Sequence, residues 1–310
     1  MDLEIVKFIQ SGSNWFLDQF FSAFTHFGEE IFFICMFLIY YWCVSYRYAF
    51  KFSLFYLTSV LFNNIIKLCV KRPRPWQASQ LVDNKLQASG YSFPSGHSQS
   101  ISCISTFIVY DIYKDKNNNK STKVISLVIA ILLCLIVGYS RMYLGQHYLT
   151  DVLTGFTLGV GIMLLLKYIE SVLSKKERKP VNIEMVVSIL SIVMLVLITL
   201  LQFKVFNVSL HAAKKIYRYS ALLTSVSIGY ILSIRLVKDV RLNIYLRLIK
   251  VAIGLIITFG LFAIFNMLVN NLFMYFLVIL MIGIVATFVY PYLFNMIYCK
   301  LKKEEICKSV

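Results

Sequence analysis

The chain has 310 residues, 59% of them hydrophobic, with a formal net charge of +16 and a mean hydropathy of +0.73. Soluble domains are about half apolar, and 310 residues cannot bury this many apolar runs in one core, so a soluble globular fold is excluded. The runs are continuous rather than alternating, which argues against a transmembrane barrel.

The first ten residues, MDLEIVKFIQ, carry no basic leader and no small-residue cleavage site, so they do not read as a removed signal peptide. Residues 3–27 are apolar but interrupted by QSGSN, Asp18 and His26. Neither half is long enough to span, which predicts one or two helices lying in the membrane interface, with a short or tilted span as the alternative. Nine candidate spans follow, over 30–46, 50–70, 95–113, 124–140, 148–169, 182–203, 217–236, 248–268 and 272–298. A basic segment, Ser174 to Pro180, divides them into five and four. The expected fold is therefore all-α: a polytopic membrane helical bundle of about nine transmembrane helices plus N-terminal interfacial helices. The expected domains are 1–29 (interfacial helices), 30–173 (a five-span core), 174–181 (a basic linker), 182–299 (four additional spans) and 300–310 (a basic tail). The seven cysteines are scattered without a CxxC pair and read as small buried hydrophobes, not a disulfide frame or a metal site.

Basic residues between spans set the orientation. With the loop at Arg47 and Lys51 on the cytoplasmic side, that side collects 20 Lys and Arg against 9 on the other. The charge is then a topology signal facing anionic lipid, and nucleic acid is not an expected partner.

Three polar clusters fall on the sparsely charged, extracytoplasmic side. The first, KLCVKRPRP, runs from Lys67 to Arg74-Pro75 at the end of the second span. The second, Pro94-Ser95-Gly96-His97, opens the third span. The third runs from Ser140-Arg141 through His147 to Asp151, where the fourth and fifth spans meet. Singly, each has a plain structural reading: a snorkelling lysine, interfacial arginines, a turn with a helix start, a capping pair. Together they supply the parts for handling phosphate. Lys67, Arg74 and Arg141 offer three cations, and arginine can grip phosphate oxygens in a bidentate fashion. Ser95 and the amides of Gly96 and His97 sit at a helix N-terminus, an anion site, where Gly96 leaves room for close approach. His147 and Asp151 are spaced i, i+4, which predicts one shared helix face, with the carboxylate fixing the imidazole. Asn63 and Asn64 could point toward this site or make a helix–helix contact.

In order and internal spacing, these clusters resemble the three-part signature of the type 2 phosphatidic acid phosphatase superfamily: Lys67…Arg74-Pro75, Pro94-Ser95-Gly96-His97, and Ser140-Arg141…His147…Asp151. The resemblance covers roughly residues 15–172; the early WFLDQFFSAFTHFG is similar to the interfacial lead-in of bacterial members. It implies an integral-membrane, metal-independent phosphatase that needs no cofactor. By family role, His147 attacks phosphorus and forms a phosphohistidine, and Asp151 orients it. His97 protonates the leaving oxygen and then activates water. Lys67, Arg74, Ser95, Gly96 and Arg141 hold the phosphate oxygens. The implied substrate is a lipid phosphate or a polyprenyl diphosphate, in a bacterial cytoplasmic membrane with the site facing outside. A glucose-6-phosphatase-like hydrolase of a soluble ester, and a non-enzymatic lipid transporter or binding protein, are the alternatives. The role of the last four spans and any homo-oligomer stay open. The polar stretch His211 to Tyr219 reads as a loop plus a helix start.

Overall fold

The computed structural model describes residues 1–86, 88–174, 210–240, 242–269, 271–301 and 307–308. Among the described residues the regular structure is helical apart from one two-residue ladder, β1 (Asp239–Val240) with β2 (Cys307–Lys308). Eight of the nine expected spans coincide with helices; the sixth, 182–203, lies outside the described residues. Among the described residues, six helices are long and apolar enough to cross a membrane, and a seventh crossing is formed if the bent pair Trp15–Gly28 and Glu30–Cys43 counts as one span. The protein is an integral membrane protein with an all-α fold. Its apolar side chains face outward where lipid would lie, as Ile125, Ile129, Leu132 and Leu135 do on one helix face.

The chain forms two compact units, residues 1–32 with 58–177, and residues 33–57 with 178–310. The first unit begins with α1 (Asp2–Ser11), α2 (Trp15–Thr25) and a 3-10 turn (His26–Gly28). Asn14 caps α2 by accepting from the Leu17 amide. Next come α3 (Glu30–Cys43) and α4 (Tyr46–Val70), which lie across the division of units, and the one-turn α5 (Pro75–Ala78). Then follow α6 (Gly96–Lys114), α7 (Lys120–Tyr143) and α8 (Leu149–Ser174). The close pair is α6 and α8. A Cβ at Gly155 would lie 2.6 Å from the Ser95 carbonyl oxygen, and one at Gly159 would lie 2.1 Å from Ser102 Oγ. This small-xxx-small seam lets two backbones approach and seats the start of α6 beside the start of α8. The N-terminal helices pack on the end of α7. The Phe21 ring meets Tyr139 and Tyr143, with centroids 5.0 and 4.6 Å apart, and Gln10 Nε2 donates to the Tyr143 carbonyl at 2.9 Å.

The second unit contains α9 (Leu210–Leu236), α10 (Ile244–Leu268), α11 (Leu272–Ile284), a π segment (Val285–Val289) and α12 (Tyr290–Leu301). Helix α9 starts seven residues before the expected span, so His211 to Tyr219 is helical rather than a loop. Ala213, Ile216, Tyr217 and Ser220 are buried; this i, i+3, i+4, i+7 stripe gives the extra turns an apolar face to pack. The π segment loosens the helical hydrogen bonds, and side chains answer its carbonyls: Trp42 Nε1 donates to Ala286 at 2.8 Å and Ser233 Oγ to Thr287 at 2.7 Å. Five cysteines are free and Cys103 among them is buried, but Cys69 is exposed. Cys299 is disulfide-bonded, which corrects the reading of all seven as unpaired hydrophobes; no CxxC spacing announces it.

Candidate active site

The three clusters meet in the first unit. Lys67 ends α4 and reaches the loop before α6, where Nζ donates to the carbonyls of Tyr91 at 2.9 Å and Ser92 at 3.2 Å. Arg74, just before α5, is buried. Its guanidinium donates to Gly90 at 3.0 Å, Ser89 at 2.9 Å and the Gln146 carbonyl at 3.0 Å, and Nη1 comes within 3.5 Å of His147 Nε2. Cluster one is thus tied to cluster three by a cation placed against an imidazole.

Ser95 is the N-cap of α6. Its hydroxyl accepts from the Ser98 amide at 3.3 Å and from Ser98 Oγ at 2.8 Å, while its own amide donates to the Asp151 carbonyl at 3.0 Å. Gly96 and His97 occupy the first turn, where amides have no intrahelical acceptor. A Cβ at Gly96 would meet only Asn63 Oδ1, at 3.6 Å, so the protein leaves this position open. His97 Nε2 is buried without a hydrogen-bond partner among the described residues, and the ring lies within electrostatic reach of Arg141, His147, Lys67 and Arg74.

The i, i+4 expectation for His147 and Asp151 is corrected. His147 precedes α8 rather than sharing its face. Gly145, with φ of +73°, turns the chain after α7, and Asp151 in the first turn of α8 accepts from the Tyr148 amide at 3.0 Å. The helix therefore starts at Leu149, and His147 stays in the connection. His147 Nδ1 still faces Asp151 Oδ2, at 3.5 Å. Burial pushes the His147 imidazole well below its ordinary value, and the charges of Lys67, Arg74 and Arg141 push the same way. The free site thus holds a neutral imidazole ringed by cations.

Arg141 is the largest fully buried side chain among the described residues, 1% exposed. Its Nη1 donates to Thr25 Oγ1 at 2.7 Å, and its Nε has no partner among the described residues. A buried guanidinium with an unanswered N–H is suited to an anion. Ser140 Oγ donates back to the Val137 carbonyl at 2.7 Å and does not join the site. Asn63 takes the helix–helix reading: Nδ2 donates to Gln99 Oε1 at 2.7 Å, and Gln99 Nε2 donates to Ser59. Asn64 bonds the Val60 carbonyl of its own helix.

Residues 48–174 match the family model of the PAP2 superfamily, and residues 217–304 match that of the PAP2 superfamily phosphatase transmembrane extension. Together they cover well over half of the chain. The chain belongs to the PAP2 superfamily. The PAP2 match contains all three clusters, and the extension covers three of the four later expected spans, which carry no site motif. Phosphatidylglycerophosphatase B of Bacillus subtilis (strain 168) is 35% identical over 122 residues, 39% of this chain and 58% of that protein. Dolichyldiphosphatase of Saccharomyces cerevisiae is 38% identical over 104 residues, 33% of this chain and 44% of that protein. Lipid phosphate phosphatase delta of Arabidopsis thaliana is 26% identical over 161 residues, 50% of this chain and 39% of that protein. The chain thus spans about two fifths to three fifths of the curated relatives it matches. Among solved structures, the crystal structure of the first transmembrane PAP2 type phosphatidylglycerolphosphate phosphatase from Bacillus subtilis is similar, with a TM-score of 0.49 and 27% identity, over 58% of this chain and 87% of that one.

Several residues that the sequence analysis did not single out touch the three clusters. Arg72 donates through Nη1 to Asp151 Oδ1 at 2.7 Å and through Nη2 to Asp2 Oδ2 at 2.8 Å, and its guanidinium stacks 3.8 Å from the Tyr148 ring centroid. Ser92 Oγ donates to Asp151 Oδ2. Gln146 Nε2 donates to Asn84 Oδ1 at 2.9 Å and to the Leu86 carbonyl at 2.6 Å, holding the loop before α6.

Proposed function

We propose that this protein is an integral-membrane phosphatase that removes phosphate from a lipid phosphate or a polyprenyl diphosphate through a phosphohistidine on His147. The observation that carries this reading is the buried His147 with Arg74 3.5 Å from its Nε2, set among Lys67, Arg141 and His97. Phosphoryl transfer needs little covalent help beyond a positioned nucleophile and charge stabilisation, and these residues supply both.

His147 Nε2, on the cation side of the ring, attacks phosphorus. The bond from phosphorus to the lipid oxygen breaks, and His97 gives its proton to that oxygen. The phosphate dianion, once bound, favours the protonated form of His97. Water then attacks the phosphohistidine, and His97 takes a proton from it. The P–N bond breaks, releasing phosphate and restoring the neutral imidazole. Asp151 faces Nδ1 and stabilises the imidazolium character that develops during attack. Lys67, Arg74, Arg141 and the first-turn amides at Ser95–His97 bind the equatorial oxygens, preorganised where charge develops. The reaction is read as metal-independent: the cations stand where a divalent ion would otherwise neutralise charge, and the nearby carboxylate, Asp151, is taken up by Arg72, Ser92 and the Tyr148 amide.

A lipid substrate is favoured over a soluble ester by an apolar cavity of about 550 Å³ between α6, α7 and α8, lined by Ser102, Thr106, Ile131, Leu135, Phe156 and others. Ser102 is five residues along α6 from His97, and Phe156 five along α8 from Asp151, so these lining residues stand roughly 7.5 Å along the helix axes from the site. Phosphatidylglycerophosphatase B, dolichyldiphosphatase and lipid phosphate phosphatase delta are the names of relatives, which also favours a lipid. The loop charges favour an extracytoplasmic site, in the cytoplasmic membrane of a bacterium.

The test is phosphate release in detergent from phosphatidic acid, phosphatidylglycerol phosphate, a polyprenyl diphosphate and glucose 6-phosphate, with and without EDTA. Release from a lipid substrate that survives EDTA, with an acid-labile phosphoenzyme lost in His147→Ala, is expected. Turnover of glucose 6-phosphate alone, or activity that chelator removes and Mg²⁺ restores, would overturn the reading.

A further inference from the structure

Two residues of the N-terminal lead-in touch the site, and both lie outside the residues that match the PAP2 model. Thr25, the last residue of α2, is 0% exposed. Its Oγ1 accepts from Arg141 Nη1 at 2.7 Å. Gly28, three residues later, ends the 3-10 turn. A Cβ at Gly28 would lie 2.8 Å from His97 Cβ, 2.9 Å from His97 Cδ2 and 3.1 Å from His97 Cα. No real Cβ sits that close to backbone-anchored atoms, and the Cα and Cβ of His97 cannot swing away as a flexible side-chain tip can.

We propose that Thr25 and Gly28 are positioning residues of the phosphate site: Thr25 holds the Arg141 guanidinium in place, and Gly28 lets the His97 ring seat against the 3-10 turn. The proposal rests on the phosphatase reading above for the roles of Arg141 and His97. The argument from Thr25 is one of alternatives. Arg141 is buried on α7, and its Nε has no partner among the described residues. Its side chain has rotatable bonds that only contacts can fix. The Thr25 hydroxyl supplies one, at charge-assisted hydrogen-bond distance, and so leaves the remaining N–H groups aimed at an incoming anion. Thr25 is itself held. The same segment is fastened to the first unit at Asp18, whose carboxylate accepts from Lys85 Nζ at 2.9 Å and from the Tyr143 hydroxyl at 2.6 Å. Gln10 likewise accepts from the Asp83 amide at 2.9 Å. Residues 2–28 therefore form a brace whose far end bears on one phosphate ligand and one histidine.

The two residues act on different steps, which makes the proposal testable apart from stability. Thr25→Val keeps the shape and loses the acceptor; Thr25→Ser keeps it. Gly28→Ala pushes His97 and leaves Arg141 untouched. In detergent, Thr25→Val is expected to lower kcat/KM about 10- to 100-fold, the range of one lost charge-assisted hydrogen bond, and to weaken orthovanadate binding in the same proportion, with Thr25→Ser near wild type on both. Gly28→Ala is expected to lower kcat/KM, which reports the phosphoryl-transfer step and not the later water attack, about 100-fold on an alkyl phosphate and by much less on p-nitrophenyl phosphate, whose leaving group needs no proton. A merely structural lesion would lower both substrates alike and would not be rescued by Thr25→Ser.

Wild-type kcat/KM and vanadate affinity in Thr25→Val would overturn the Thr25 assignment. Equal losses on the two leaving groups in Gly28→Ala would overturn that for Gly28. If wild-type protein bound orthovanadate but released no phosphate from any substrate, the phosphatase reading would fail; a vanadate affinity lost in Thr25→Val and kept in Thr25→Ser would still uphold the brace on Arg141. If wild-type protein neither bound vanadate nor turned over, both would fall together.

Discussion

Arg72 Nη1 lies 2.7 Å from Asp151 Oδ1, closer than the 3.5 Å between Asp151 Oδ2 and His147 Nδ1. The buried carboxylate is thus anchored by a guanidinium outside the expected site residues, and it presents its other oxygen to Ser92, to the Tyr148 amide and, at longer range, to the histidine. Removing Arg72 would leave a fully buried charge without its strongest partner. Because Arg72 is 28% exposed in its side chain, water offsets part of the loss. Arg72→Gln is expected to destabilise the protein by about 1–3 kcal/mol, read as a lower Tm in detergent, with kcat per folded enzyme down about tenfold. Asp151→Asn should cost about 100-fold or more in kcat. An Arg72→Gln protein with wild-type Tm would contradict this division.

The pH dependence follows from His147. Burial and the three surrounding cations hold its imidazole well below the ordinary histidine range. The base is active when neutral, so lowering its affinity for protons moves the acid limb of the rate profile to lower pH. The kcat/KM profile reports the free enzyme, where this depression applies. Its acid limb is expected well below pH 6.5 for the His147 step. Since the folded state binds this proton less readily than the unfolded one, stability associated with His147 is present above the unfolded value and lost as pH falls beneath it. An acid limb at or above pH 6.5 that disappears in the Arg74→Gln and Lys67→Gln variants would place the nucleophile elsewhere.

Much of this was readable from the residues because local chemistry forces it. Continuous apolar runs must be helices in lipid, and a serine ahead of such a run favours a helix start, as Ser95 caps α6 at Gly96. Eight of the expected spans therefore coincide with helices, six of them long and apolar enough to cross a membrane on their own. What spacing missed depends on tertiary contact or on one dihedral angle. The i, i+4 rule put His147 on a helix that Gly145 delays by several residues. Arg72 looked like one more interfacial cation in KRPRP; only the fold shows which cation meets Asp151. Thr25 and Gly28 had no chemistry of their own to notice. The pair Gly155 and Gly159 was the one unread signal, since a small-xxx-small spacing does announce a close helix pair.

Asn63 tests whether polarity near the site is structural. Its Nδ2 donates to Gln99 Oε1 at 2.7 Å within a chain of buried amides that continues to Ser59. Asn63→Ala would strand the Gln99 oxygen in the core, at about 1–3 kcal/mol. The expected outcome is a lower Tm with kcat per folded enzyme within about threefold of wild type, measured on protein recovered as a monodisperse peak. A kcat loss of about 100-fold with Tm unchanged would make Asn63 a substrate contact instead.

The cavity between α6, α7 and α8 makes a prediction about chain length. Its walls are apolar, with Thr106, Ala130 and Ile131 facing it from two helices and Phe156 and Val160 from the third. If the hydrocarbon tail lies there while the phosphate sits at His147, filling the cavity should penalise long substrates and spare short ones. Each buried methylene is worth about 0.8 kcal/mol, so a tail that loses four of them loses about 3 kcal/mol, or roughly 100-fold in kcat/KM. Ala130→Trp puts a large ring into this space without touching the three clusters. The expected result is kcat/KM on a long-chain lipid phosphate down about 100-fold, mostly through KM, with a short-chain analogue changed less than about threefold. Equal effects on both chain lengths would remove the cavity from the substrate path, and the tail would then have to lie along the outward face of α7, where a tryptophan at Leu132 would give the length-dependent loss instead.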